Sequence, residues 1–188
     1  MAENKDIYTA YEEFLQGLAT QHSTQRFSNG GKDFAPILMS VLYQHTDAIA
    51  RIYCEGFRPD IIKHPKYWGA LIDYLDKNKR IEVLVKTDKY LNQEPLKTLL
   101  QYSQNNLNSQ ISVRRIGELD QERINNRFKG NCNFAIFDTD KYRMEYEPED
   151  FRAFGSFNEP RVCDILISEF DRAFNHAEPL IQSPIYEQ

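Results

Sequence analysis

Two short polar segments in the C-terminal half of the chain hold the side chains whose types and spacing suggest chemistry. The first has the pattern Asn131-x-Asn133-x4-Asp138, and the second, separated from Asp138 by 16 residues, reads Gly155-Ser156-Phe157-Asn158. A carboxamide can donate a hydrogen bond to a phosphate oxygen, but it does not titrate near neutral pH and is a poor nucleophile. A helix that begins after Asn158 would also present free N–H groups to an anion. Both segments therefore offer hydrogen-bond donors to an anion such as phosphate, but no group that titrates near neutral pH.

Charged residues flank these segments. Lys129 precedes the first segment and Arg143 follows it, and both are candidate ligand-binding residues together with Asn131, Asn133, Ser156 and Asn158. Alternation along a strand puts Arg143 and Glu145 on the same face. That pair is either a surface ion pair or part of a pocket lining, and the sequence leaves both interpretations open.

Hydrophobic periodicity predicts the elements that must position these residues. Helix-then-strand order in the middle of the chain predicts parallel crossover units, and the turn at 138–141 predicts an antiparallel hairpin. The sequence therefore predicts an α/β domain with a mixed β-sheet flanked by helices. The predicted helices cover 6–22, 34–46, 66–78, 95–106 and a last one opening at 158–160 with Asn158 as N-cap; the predicted strands cover 49–53, 80–85, 110–116, 132–138, 142–146 and 151–157; Ser28–Gly31 is predicted to break the chain, 117–130 to be a polar connector and the tail after Pro179 to be extended.

The two polar segments resemble those of the phospholipase D-like (HKD) superfamily. That family carries His-x-Lys-x4-Asp on a strand and its turn, followed by Gly-Ser-x-Asn running into a helix. Asn131, Asn133 and Asp138 have the same register, with asparagine at both reactive positions, and Gly155–Asn158 matches the second motif in full. The spacing departs from the family, because 16 residues rather than about half a dozen separate Asp138 from Gly155.

The resemblance implies a phosphodiesterase fold whose reactive groups are absent from this chain. In the family a histidine attacks phosphorus, a second histidine protonates the leaving oxygen, and lysine supplies positive charge to the phosphoryl oxygens. Asparagine at 131 and 133 could hold a phosphate but could not cleave it by that route. The resemblance implies no cofactor, and the sequence offers no spacing for a metal site.

The resemblance also implies an organisation and an assembly. It divides the chain into an N-terminal helix and linker (1–33), a phospholipase D-like domain (34–176) and an extended tail (177–188). A single half of this size implies a symmetric homodimer in which the motifs of two copies share one cleft. Further partners would be nucleic acid, a phosphorylated small ligand or a protein.

Each motif residue also has a purely structural interpretation. Asp138 is a common first residue of a turn, and Gly155-Ser156 could permit a close approach between elements. Asn158 could serve only as a helix cap, and Asn131 and Asn133 could simply mark a junction between loop and strand.

Composition excludes several classes of protein. The chain has 188 residues, of which 41% are hydrophobic and 13% aromatic, which argues against disorder. There is no apolar run long enough to span a membrane, the first thirty residues are polar and predict no signal peptide, and three scattered cysteines predict no disulfide framework. We therefore expect a cytoplasmic protein, and its net charge of −5 argues against strong sequence-independent DNA binding.

Three hypotheses about function remain at this point. The leading one is a catalytically degenerate phospholipase D-like module that binds a phosphate-bearing ligand, nucleic acid or a protein partner. The second is an active nuclease or phosphodiesterase with replacement residues, such as Asp138 with a nearby lysine or arginine. The third is a structural subunit that contacts a partner through the helix at 6–22 and the acidic tail.

Overall fold

A mixed eight-stranded sheet forms the centre of the molecule in the computed structural model, which describes residues 6–90, 93, 96–98, 101 and 110–182. Its central strands contain runs of β-branched and large apolar residues that fit a sheet covered on both faces. In chain order the strands are β1 (Phe27–Gly30), β2 (Ile49–Cys54), β3 (Arg80–Val85), β4 (Gln110–Arg115), β5 (Asn133–Phe137), β6 (Lys141–Glu147), β7 (Arg152–Ser156) and β8 (Glu178–Gln182).

The strand order is β1-β7-β6-β5-β2-β3-β4-β8. Strands β2, β3 and β4 are parallel, whereas β5 runs antiparallel to β2 and continues into the antiparallel pairs β5–β6, β6–β7 and β7–β1. Strand β8 pairs antiparallel with β4 at the other edge. The start of β5 therefore lies beside the carboxyl end of β2, which is the edge where open α/β sheets bind ligands.

Helices cover both faces of this sheet and create two apolar cores. One core lies between the sheet and the helices α1, α2 and α4, and it takes up Ala135 and Phe137 of β5. The other lies between the sheet and the helices α5 and α6, and it takes up Phe134 and Ile136 of the same strand. The helices are α1 (Ile7–Thr20), α2 (Ala35–Gln44), α3 (Pro59–Ile62), α4 (Pro65–Asp76), α5 (Glu118–Phe128) and α6 (Pro160–His176).

The predicted α/β class and mixed sheet are confirmed, and several local predictions are wrong. Residues 27–30 form edge strand β1 rather than a chain break, and residues 118–128 form α5 rather than a connector. Hydrophobic periodicity does not indicate helix α5, because Ile124 is its one buried residue. The charges of this segment do match a helix dipole, with acidic Glu118 and Asp120 in the first turn and basic Arg127 in the last. This charge pattern could have indicated a helix at 118–128.

Two further predictions concern the ends of elements. Glu159, not Asn158, is the N-cap of α6. Leu96 to Thr98 are helical, as predicted for 95–106, but most of that predicted helix lies outside the described residues. The N-terminal helix contributes Leu15 and Leu18 to the core, and 178–182 join the sheet, so parts of all three predicted segments pack together.

Candidate functional site

A hollow of about 90 Å³ opens where the carboxyl end of β2 meets the start of β5. Its walls are mainly apolar and come from β2, from helices α2, α3 and α4, and from the loops after β2 and β6. Its polar side is formed by Asn133 of β5 and by Arg143 and Glu145 of β6. The apolar part of the lining includes Met39, Ile52, Phe57, Ile62, Tyr67 and Phe151.

Strand alternation and register bring the three polar residues together. Asn133 is directly opposite Glu145 in the β5–β6 pair, and Arg143 lies two residues from Glu145 on the same face. All three are buried, with exposed fractions of 8% for Asn133, 8% for Arg143 and 5% for Glu145. Arg143 and Glu145 are thus a buried ion pair that lines a pocket, so the pair is part of a pocket lining and not a surface ion pair.

Hydrogen bonds connect these residues into a chain. Arg143 Nη2 donates to Glu145 Oε1 at 2.7 Å, and Asn133 Nδ2 donates to Glu145 Oε2 at 2.6 Å. Arg143 Nε donates to Asn29 Oδ1 at 3.3 Å, and Asn29 Nδ2 in turn donates to the carbonyl of Phe151 at 2.8 Å. Asn133 Oδ1 is buried and has no hydrogen-bond partner among the described residues.

Asn131, the other predicted reactive position, lies just before β5 and contacts a different residue. Lys86 Nζ donates to Asn131 Oδ1 at 2.6 Å, to the carbonyl of Cys132 at 2.7 Å and to Glu55 Oε1 at 3.2 Å. The Lys86 side chain is 1% exposed, and its ammonium lies 4.8 Å from the centre of the Tyr53 ring. Asn131 itself is not among the residues that line the hollow.

Asp138 lies at the opposite end of β5 and has a structural role there. Its carboxylate accepts hydrogen bonds from the backbone N–H groups of Asp47, Ala48 and Ile49 at 2.8, 2.8 and 3.2 Å, and from Lys141 Nζ at 3.2 Å. Burial alone would raise the pKa of Asp138, but the backbone donors and the Lys141 ammonium outweigh it and hold the pKa below its ordinary value. The carboxylate thus ties the β5–β6 turn to the start of β2.

The second segment does not reach the hollow. Ser156 Oγ donates to the carbonyl of Ser23 at 3.4 Å, and Asn158 Nδ2 donates to the carbonyl of His22 at 2.8 Å. A Cβ on Gly155 would lie 2.0 Å from the Tyr142 carbonyl oxygen, so this glycine allows β7 to approach β6 closely. Within one chain the structure therefore separates Ser156 and Asn158 from Asn133, although the sequence grouped all three as candidate ligand-binding residues.

The longer hairpin explains this separation. Because 16 residues separate Asp138 from Gly155, the chain completes strand β6 before it reaches the second segment. The segment then lies on β7, two strands from β5, where Ser156 pairs with Tyr142. Lys129 is also away from the hollow, since it is exposed and ends α5 in a left-handed conformation with φ 60°.

Besides its arginines and the paired carboxylates Glu55 and Glu145, the hollow is lined by a thiol and by tyrosine side chains. Its described lining includes no histidine. Burial raises the pKa of the Cys54 thiol to about 12 and that of the Tyr67 hydroxyl to about 12, so both stay protonated. No group of three or more metal-ligating side chains occurs within the described residues. This lining can hold a ligand through hydrogen bonds and apolar contacts.

Comparison with solved structures identifies the architecture. Nuc from Salmonella typhimurium, a phospholipase D family member, matches with a TM-score of 0.56 and 12% identity over 82% of this chain and 98% of Nuc. NucT from Helicobacter pylori matches with a TM-score of 0.57 and 8% identity over 83% of this chain and 99% of NucT. The fold is phospholipase D-like.

The structure is also similar to that of TrmBL2, an archaeal chromatin protein that shows a novel mode of DNA binding. It matches with a TM-score of 0.59 and 13% identity over 92% of this chain, which spans 62% of the TrmBL2 chain. No protein-family model matches the sequence, and no curated protein matches it either. At identities this low the likeness concerns the fold alone.

Two residues that contact the candidate site residues were not found from the sequence, namely Lys86 and Asn29. Lys86 directly follows β3, at the carboxyl edge of the parallel strands, and that position could have drawn attention to it. Asn29 gives no usable signal in the sequence, because its segment, Ser28–Gly31, is predicted to break the chain. Separately, no helix in the described part of the chain has the length and apolar character required to cross a bilayer.

Proposed function

We propose that this chain is a phospholipase D-like module that binds a ligand at the hollow without hydrolysing phosphodiesters. One observation carries the proposal: both positions that correspond to the family's reactive residues are asparagines that already contact other side chains. Asn131 accepts a hydrogen bond from Lys86, and Asn133 donates one to Glu145. An amide so engaged supplies neither the nucleophile nor the proton that the family reaction needs.

The enzyme alternative with replacement residues has less support. Asp138 lies five residues beyond Asn133, which is about 17 Å along a strand, and its carboxylate is occupied by backbone donors. Lys141, the nearby cation, pairs with Asp138 and Asp140 rather than with the hollow. These two residues therefore stabilise the turn and do not supply a reactive pair to the pocket.

The proposal favours a small ligand over a long polyanion. Several basic side chains that could have formed a binding face for a polyanion are paired with carboxylates, which weakens their attraction for phosphate. The pairs are Arg80 with Glu82, Lys86 with Glu55, Arg115 with Asp88 and Glu178, and Arg123 with Asp120 and Glu169.

A two-fold homodimer, which the resemblance implies, remains part of the proposal. Tyr146, next to Glu145 on β6, is 49% exposed and offers an apolar contact to a second copy at this end of the sheet. Light scattering should then give twice the 22.1 kDa chain mass, whereas a chain that stays monomeric at all concentrations would remove the dimer from the proposal.

The hydrolysis test uses a generic phosphodiester, bis(p-nitrophenyl) phosphate, with the clean protein and with the Asn133→Ala variant. We expect the two proteins to release nitrophenolate at the same background rate. Multiple turnovers by the wild-type protein that disappear in Asn133→Ala would overturn the proposal. The Asn175→Ala variant, on an exposed part of α6, serves as the matched control.

DNA binding is the second candidate, and the fold shared with TrmBL2 favours it. The net charge of −5 and the paired basic residues oppose it. Titration of fluorescent single-stranded and double-stranded DNA at low and physiological salt separates the two candidates. Salt-sensitive binding that persists near physiological salt would support DNA as the ligand, and its absence would leave the small-ligand proposal.

A further inference from the structure

An accessible aromatic patch lies on the face of the sheet opposite the hollow. Met144, Tyr146 and Phe154 form this patch, because strand alternation turns them away from the face that carries Arg143 and Glu145. Tyr146 is 49% exposed, whereas Met144 and Phe154 are partly buried at the margin of the core under α6. The ring centres of Tyr146 and Phe154 are 5.9 Å apart, so the patch is continuous.

The aromatic patch has the composition of a protein interface. Helix α6 packs on β2, β5 and β6, and the patch extends past it onto β7, beside the exposed residues Ser28 and Gly30 of β1. Methionine, tyrosine, phenylalanine and arginine are enriched at such interfaces. Arginine is also present here, since the Arg26 guanidinium lies 6.0 Å from the centre of the Phe154 ring.

Each end of the aromatic patch carries one ion pair. Arg152 begins β7 and pairs with Glu147, with 3.3 Å between Nη1 and Oε2. Arg26, beside the other end of β7, pairs with Glu159, with 2.6 Å between Nη2 and Oε1. All four side chains keep accessible surface, from 24% for Glu159 to 57% for Arg26. Pairs of this kind contribute little to the stability of one chain, so their charges are available to a partner.

These charges favour a second copy of this chain as the partner. A two-fold axis through the aromatic patch brings each end of one copy against the opposite end of the other. Arg152 of one copy then meets Glu159 of the other, and Arg26 meets Glu147 in the same way. Nucleic acid is disfavoured, because the neighbouring turn at 148–150 adds two exposed carboxylates that repel phosphate.

The apolar residues exposed on helix α1 suit a second copy less well. Ile7 is 64% exposed and Phe14 is 43% exposed. They lie next to Asp6 and Glu13 in the sequence of this helix, so two copies that met there would bring carboxylates together. The aromatic patch has both signs of charge on its rim and is therefore the more self-complementary surface.

We infer that the aromatic patch is the contact surface of a two-fold homodimer. This inference rests on the homodimer in the proposed function and names the surface that forms it. The arrangement differs from the shared cleft implied by the family resemblance, because Asn133, Arg143 and Glu145 line the hollow on the other face of the sheet. Each copy therefore keeps a hollow of its own, outside the contact between the two copies.

Sedimentation-velocity ultracentrifugation of the full chain over a concentration series gives the dissociation constant of the dimer. Tyr146→Asp puts a carboxylate into the aromatic patch and should weaken the dimer at least about thirty-fold, the loss typical of a central aromatic residue in an interface. Arg152→Glu places like charges opposite each other at the rim and should weaken the dimer about ten-fold.

Two variants elsewhere on the surface serve as matched controls. Leu119→Asp introduces the same charge at an 84% exposed apolar residue of α5, and Arg172→Glu makes the same charge reversal on the exposed side of α6. Both should leave the dissociation constant within about two-fold of the wild-type value. Circular dichroism checks that each variant is folded.

Dilution of the wild-type protein gives the same test without a substitution. In ¹H–¹⁵N NMR spectra we expect the signals that change with protein concentration to come from 26–30 and 144–154. Changes confined to other parts of the chain would overturn the inference, whether or not the Tyr146→Asp variant folds.

The outcomes separate this inference from the proposed function. A dimer that Tyr146→Asp leaves intact, or that Phe14→Asp dissociates instead, would overturn the inference while the homodimer stands. A wild-type chain that is monomeric at all concentrations would overturn both the contact surface and the homodimer. Hydrolysis of a phosphodiester that depends on Asn133 would overturn the proposed non-hydrolytic function and leave the contact surface unaffected.

Discussion

The two ends of strand β5 both hold a polar residue of the predicted motif, and they use it in different ways. At one end the carboxylate of Asp138 accepts three backbone hydrogen bonds and one from Lys141. At the other end the amide of Asn133, a residue that lines the hollow, donates one bond to Glu145, and its buried oxygen has no partner among the described residues. A polar group whose hydrogen bonds are all satisfied internally stabilises the fold, whereas a buried atom without a partner costs stability.

The largest expected loss of stability comes from a substitution at the end of β5 that lies beside the hollow, and it tests whether that end is buried. Arg143→Met should lower the free energy of unfolding by about 3–5 kcal/mol, because it leaves the Glu145 carboxylate buried without its counter-ion. Urea unfolding followed by circular dichroism measures it. The matched control Arg152→Met removes an exposed pair with Glu147 and should cost under about 1 kcal/mol. If both variants lowered the free energy of unfolding by the same small amount, the Arg143–Glu145 pair would behave like an exposed surface pair.

The second largest loss of stability is expected at the other end of β5, where Asp138 stabilises the fold. Asp138→Ala should lower the free energy of unfolding by about 2–3 kcal/mol, because three backbone N–H groups lose a charged acceptor. Asp138→Asn should cost less, since the amide keeps one acceptor oxygen and asparagine tolerates the left-handed φ of 55° at this position. The same urea series gives both values, and a cost for the alanine variant within about 0.5 kcal/mol would contradict this role.

The pH dependence of stability provides a second test of the structural role of the Asp138 carboxylate. The folded-state pKa of Asp138 lies below the ordinary 3.8, so its stabilising contribution is complete above that value and is lost as the pH falls below it. The stability gap between the wild-type protein and Asp138→Asn should therefore narrow from about pH 5 towards about pH 2. A gap that widens on acidification would show that the pKa of this carboxyl is raised instead.

The smallest effect is expected at the hollow itself. Asn133→Leu removes a buried oxygen without a partner and also one donor to Glu145, and these opposing changes should keep the loss of stability within about 1 kcal/mol. Thermal or urea unfolding measures it. A loss above about 3 kcal/mol would place Asn133 with Asp138 as a residue needed for folding.

Strong local patterns made much of the fold predictable. The run Arg80–Val85 and the amphipathic helices have unambiguous periods, and their order fixes the parallel part of the sheet. Strand β1 was missed because Phe27–Gly30 is short and polar and becomes a strand by pairing with β7. Its register is a long-range property that local sequence does not carry.

The site was predictable only in part for a related reason. The register correctly placed Asn133 on the strand and Asp138 at the turn after it, whereas Asn131 lies two residues before the strand begins. The motif Gly155–Asn158 is matched in sequence, but the hairpin length before it decides its position, and here it adds a strand between the two segments. Lys86 and Asn29 reach the site from distant parts of the chain, which a local motif cannot reveal.

Hydrolysis of bis(p-nitrophenyl) phosphate by the clean protein tests the central claim most directly, since that claim is that the two engaged asparagines, Asn131 and Asn133, do not cleave a phosphodiester. We predict that the wild-type protein and Asn133→Ala release nitrophenolate at the same background rate. Multiple turnovers by the wild-type protein that disappear in Asn133→Ala would contradict the account.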